Sequence, residues 1–133
     1  VSDFNQQVID EFRANGGKVE RFGSAPVTLM HLTGAKSGEP RLTPVVAFPL
    51  DDRLFVVASK AGAPEHPAWY HNLLAHPRFE IEVGTERYEV EAVPVTGAER
   101  DALYAQVVEV MPGFGAYQEQ TSRVIPIVEL RRV

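Results

Sequence analysis

The chain of 133 residues contains no cysteine and a single tryptophan, Trp69. Without cysteine there is neither a disulfide nor a thiolate metal site, a composition that fits a reducing cytoplasm. No apolar run approaches the ~20 residues of a membrane-spanning helix, and no basic segment leads into an apolar one at the start. A soluble protein follows from that reading, and residues upstream of Val1 stay open because the first residue is not Met. Positive charge is also short: the net charge is −5 and the pI near 5.3, which excludes a broad basic face for nucleic acid. His66, His71 and His76 recur every five residues, not at the four-residue spacing of a helical zinc pair, so no metal is expected. His31 reads as a packed or hydrogen-bonded strand residue. No Ser/His/Asp order and no nucleophile elbow supports hydrolysis.

Apolar residues make up 44% of the chain, enough for the core of one ordinary domain spanning 1–133. Phe4, Val8, Ile9 and Phe12 share one face at helical spacing and predict a helix over 2–15, stopped by Gly16-Gly17. Strands are predicted over 27–33, 41–50 and 53–58, with Pro44 marking an edge, a bulge or a ligand-facing position. Pro67 opens a short helix over 68–74. A hairpin over 79–83 and 87–95 turns at Gly84-Thr85. Thr96 and Glu99 form a capping-box pattern for a helix over 97–110. Met111-Pro112-Gly113 breaks that helix, a short helix covers 114–121, and a strand over 124–130 closes the chain. Clustered strands without regular βαβ alternation argue for an α+β fold with a mainly antiparallel sheet rolled into a small barrel, and against a Rossmann fold.

Residues 31–60 form a local basic island, with Lys36, Arg41, Arg53 and Lys60 against Glu39, Asp51 and Asp52. In Gly34-Ala35-Lys36-Ser37-Gly38-Glu39-Pro40-Arg41 the glycines let backbone amides approach an anion that Lys36 and Arg41 attract. It is no Walker A loop, because a strand follows and Ala35 precedes Lys36. A solvated hairpin turn is the plain alternative. A second hydroxyl, cation and glycine cluster, Ser59-Lys60-Ala61-Gly62, ends the third strand. In a meander the two loops fall on one side and face one pocket, together with Trp69 and Asn72 at the start of the short helix. Met111, Phe114 and Tyr117, three residues apart around the Pro-Gly break, read either as a core stripe or as the mouth of an apolar substrate pocket.

These pieces, with Pro67 to Leu73, Pro77, Tyr117-Gln118 and Thr121 to Pro126, resemble the deazaflavin-dependent nitroreductase family of actinobacterial reductases, which use coenzyme F420, an 8-hydroxy-5-deazaflavin. The resemblance covers about residue 27 to the end. It implies a split β-barrel of the flavin-reductase type, with flanking helices and the cofactor in a groove. It places Lys36, Ser37, Gly38 and Arg41 at the cofactor's phosphate and acidic tail. Thr43, Pro44, Val45 and Val46, with Val57, Ala58, Ser59 and Lys60, would border the deazaflavin and its ribityl chain. Ala68, Trp69, Tyr70, His71 and Asn72 would supply the helix N-terminus and ring contacts. Met111, Phe114 and Tyr117 would line the substrate pocket, and Tyr117 and Ser59 are candidate proton donors. Some members carry several tyrosines near the C-terminal break; this chain has Tyr117 alone, which favours an apolar acceptor.

The implied activity is hydride transfer from the reduced deazaflavin to a small electron-poor acceptor: an activated C=C as in coumarins and furanocoumarins, a quinone or a nitro compound. Two alternatives stay open. One is an FMN-dependent oxidoreductase on the same barrel, and the other is a carrier that binds F420 without turnover. The acceptor and oligomeric state are not set by the sequence, and peripheral membrane association is left open because quinone-like acceptors live in lipid.

Overall fold

In the computed structural model, which describes residues 3–23 and 26–133 without the side chains of Asp3 and Arg21, six strands close into an antiparallel barrel in the order β1-β2-β3-β6-β5-β4. The strands are β1 (Val27–Thr33), β2 (Pro40–Leu50), β3 (Arg53–Val57), β4 (Arg78–Val83), β5 (Glu86–Val95) and β6 (Ile127–Arg132). Four helices flank them: α1 (Asp3–Ala14), α2 (Ala68–Ala75), α3 (Gly97–Val110) and α4 (Gly113–Glu119). Ser2, in the expected first helix, lies outside the described residues. No helix among the described residues is long and apolar enough to cross a membrane.

Period-two alternation decides where each side chain goes. Met30 and Leu32, Phe79 and Ile81, Val90 and Ala92, and Val128 and Leu130 pack together as the barrel interior, and Leu73 from α2 joins them. On the outer face, Val27 and Leu29 bury against Val8, Ile9 and Phe12 of α1. Phe48, Phe55, Val57 and Ile127 bury against Leu103, Tyr104 and Val107 of α3. A strand carrying both faces in apolar residues, as β1 does, is covered on both. Arg13 also ties α1 to the barrel, donating at 3.0 Å to Glu82 Oε2, which His31 Nε2 approaches at 2.6 Å.

The barrel is split where β2 changes partners. Residues 40–46 of β2 pair only with β1, whereas 47–50 pair with β3. Pro44 sits in the first part, opposite Leu29. Its missing N–H costs nothing on an edge that has no strand beside it among the described residues. The hairpin keeps its two-residue turn, with Val83 opposite Glu86.

Two expectations need correction. Thr96 holds the N-cap position of α3, yet its side chain makes no capping hydrogen bond. The Glu99 carboxylate accepts from Arg53 Nη1 at 3.3 Å, so the tertiary ion pair displaces the capping box. The last strand begins at Ile127, not Val124, because residues 123–125 bond to Arg100 and Gln118 instead of a neighbouring strand.

Candidate functional site

A cavity of about 540 Å3 opens at the split, within the range of small-molecule sites. Four parts of the chain line it: Pro44, Val45 and Val46 of β2; Val57 with Ser59, Lys60 and Ala61 after β3; Trp69 of α2; and Met111, Phe114 and Tyr117 around α4. All of these except Ala61 were expected at the site from the sequence. Phe4 and Val8 of α1, with Phe22 and Val27, complete the wall. Sequence reasoning read Phe4 and Val8 only as a helix face for packing. Their part in the cavity shows only in the structure, where Phe4 is 49% exposed and not packed into the core.

Met111, Phe114 and Tyr117 satisfy both readings of their spacing. They pack on the cluster around Val107 and also face the cavity. Phe114 stands edge-on to Phe48 at 5.4 Å and to Tyr117 at 5.2 Å between ring centres. Tyr104 Oη donates to the Phe114 carbonyl at 2.6 Å and so fixes α4 against α3.

The segment 34–41 does not line the cavity. Gly34 N–H donates to the Glu39 carbonyl at 2.8 Å and Gly38 N–H to the Gly34 carbonyl at 3.0 Å, closing a tight turn between β1 and β2. A Cβ on Gly34 would collide with Ser37 Oγ. Arg41 donates to Ser37 Oγ at 3.3 Å and pairs with Glu39 at 3.4 Å. Lys36 is exposed, and no carboxylate pairs with it among the described residues. Ala35 N–H donates to Asn72 Oδ1 at 2.9 Å, so α2 braces this loop while its Trp69 faces the cavity. α2 thus touches both parts: Asn72 holds the first loop, and Trp69 shares the cavity lining with Ser59, Lys60 and Ala61.

Other expected residues are placed differently. Ala58 is fully buried; its N–H donates to the Pro126 carbonyl at 2.9 Å and its carbonyl accepts from Arg123. Thr43, Ala68, Tyr70 and His71 stand outside the cavity lining, and the Tyr70 ring lies tilted against His66 at 4.8 Å between centres. Lys60 pairs with Glu65 at 2.8 Å, and that hydrogen bond holds the Glu65 carboxyl below its usual range. Gly62 is required where it is: φ is +81°, and a Cβ would lie 2.9 Å from the Tyr117 carbonyl oxygen.

The site thus combines a split antiparallel barrel, an apolar slot and, joined to it through α2, an exposed cationic loop. The sequence profile of F420H(2)-dependent quinone reductases matches residues 5–131. An F420H(2)-dependent quinone reductase of Mycobacterium tuberculosis is 40% identical over 128 residues, covering 91% of this chain and 85% of that protein. The solved F420-H2 dependent reductase FDR-A is 34% identical with a TM-score of 0.71, covering 80% of this chain and 94% of that one. A solved chain described as a domain-swapped dimer is 30% identical with a TM-score of 0.72, covering 95% and 96%. The chain belongs to the F420H(2)-dependent quinone reductase family. It is an oxidoreductase, and of the two cofactors the sequence left open, membership selects coenzyme F420.

Proposed function

We propose that this chain reduces a quinone with F420H2, the acceptor entering the apolar slot between α1 and α4. The observation that carries this is the lining: Phe4, Val8, Phe22, Met111 and Phe114 offer ring and aliphatic surface, with Ser59, Lys60 and Tyr117 as the polar groups. Such a wall suits a flat apolar acceptor better than a highly polar one. The family membership and the relatives' quinone activity point the same way.

The residues present fit the cofactor. Lys36, exposed and without a carboxylate partner, and the Gly34–Gly38 turn match an anionic tail. Pro44 to Val46, Val57, Ser59 to Ala61 and Trp69 would hold the ring system, which when bound supplies the hydride. The protein's own share is to stack two flat molecules, exclude water and deliver a proton. Ser59 and Tyr117 both line the cavity and are the proposed proton sources. Lys60 would keep negative charge nearby stabilised as the acceptor gains electrons.

The test mixes purified protein with F420H2 and a panel of a quinone, a coumarin and a nitroaromatic, following the return of oxidised-cofactor absorbance. The expected order puts the quinone first by kcat/KM. Turnover of the coumarin or nitroaromatic at a higher kcat/KM than the quinone would replace this reading by that of the faster acceptor.

A further inference from the structure

The cavity wall between β3 and α2 has a backbone that needs an explanation. Lys60, Ala61 and Gly62 are consecutively left-handed, with φ of 46°, 53° and 81°. L-residues persist in that region only when surrounding structure over-determines them. Behind this wall stands Arg123, which is not part of the cavity lining. Its Nε donates to the Ala63 carbonyl at 2.8 Å, its Nη1 to the Ala58 carbonyl at 3.1 Å, and its Nη2 to the Ser59 carbonyl at 2.7 Å. Nη1 also lies 3.0 Å from His66 Nδ1, which must accept because a guanidinium only donates. One planar fork thus gathers carbonyls from both ends of a six-residue segment, and the chain between them has to double back.

Arg123 is itself held in place. Its carbonyl accepts from Gln118 Nε2 at 2.8 Å, and Gln118 Oε1 accepts from Arg100 Nη2 at 2.6 Å and from Ile125 N–H at 3.1 Å. Arg100 is only 8% exposed and also donates to the Ile125 carbonyl. A continuous polar strut therefore runs from α3 through α4 to the segment before β6, ending on the cavity loop. The exposed end of a lysine could not replace it, since an ammonium lacks the fork that reaches three carbonyls at once.

We propose that Arg123 is a positioning residue that holds Lys60, Ala61 and Gly62 in their left-handed course against the cofactor. This rests on the reading that this wall borders the F420 ring. The test compares Arg123→Lys and His66→Phe with Val90→Ala, a destabilising change in the barrel interior. Three quantities are read: amide hydrogen exchange of Lys60 to Gly62 in the cofactor-free protein, F420 affinity by titration, and the thermal midpoint. Arg123→Lys is expected to speed exchange at least tenfold and weaken F420 binding about tenfold, while Val90→Ala lowers the thermal midpoint and leaves both others unchanged. His66→Phe shifts exchange and affinity two- to threefold in the same direction, and it decides the matter if Arg123→Lys does not fold. Unchanged exchange in the folded variants, or equal effects from Val90→Ala, overturns the role of Arg123. Faster exchange with unchanged F420 affinity overturns instead the placing of this wall at the cofactor.

Discussion

Lys36 and Arg41 share one loop but not one condition. Both are exposed, but Arg41 is engaged by Glu39 and Ser37, whereas Lys36 has no carboxylate partner among the described residues. On the proposed placing of the cofactor's tail at this loop, an anion would gain a new ion pair at Lys36 and only a shared one at Arg41. Lys36→Ala is expected to weaken F420 binding about tenfold, Arg41→Ala less, with both losses shrinking at high salt; titration at two ionic strengths checks it. His66 gives a pH dependence of definite sign. Burial, then the Arg123 guanidinium and His71, hold its folded pKa below 6.5. Below pH 6.5 the unfolded chain takes up a proton that the folded protein resists, so stability falls as pH drops through that value towards the folded pKa. Denaturant midpoints from pH 7.5 to 5.5 should show this fall, and His66→Phe should flatten it. Neither behaviour was readable from spacing alone, because the partner of His66 lies 57 residues away.

Periodicity made the elements legible, and packing set their limits. The alternation of Phe79 and Ile81 and the helical stripe of Val8, Ile9 and Phe12 reappear as burial, whereas Val83 is half-buried and Phe4 stays exposed. At Thr96 no side-chain cap forms, and Glu99 instead accepts from Arg53 on another element, a tertiary contact that local spacing does not reveal. α2 has the most demanding position of the four helices. It braces the anion loop through Asn72, faces the cavity with Trp69 and plugs the barrel with Leu73, which is fully buried. Leu73→Ala is expected to cost about 2–5 kcal/mol by leaving a cavity in the barrel end, measured by denaturant unfolding. F420 affinity should fall with it, since the helix that carries Trp69 loses its anchor.

The cavity belongs to no single element. Its walls come from α1 with Phe22 and Val27, from residues 44–46 of β2, from the end of β3 and the loop after it, from Trp69 of α2 and from the region of α4, brought together because the barrel closes by pairing β1 with β4 and β3 with β6. Phe114 lines the cavity on its α4 side, packed edge-on to Phe48 and Tyr117, where the proposed acceptor would enter. Phe114→Ala should raise the KM for an apolar quinone about tenfold, with kcat and F420 affinity nearly unchanged, in steady-state assays with each substrate varied in turn. By itself the sequence determined the strands, the helices, the two cationic loops and the family resemblance that names the cofactor, because each depends on neighbours within a few residues. Only the tertiary structure decided that α1 walls the cavity and that Asn72 of α2 holds the loop at 34–41. It alone also set Arg123 behind residues 58–63. Those facts depend on contacts between residues dozens of positions apart, and barrel closure is what creates them.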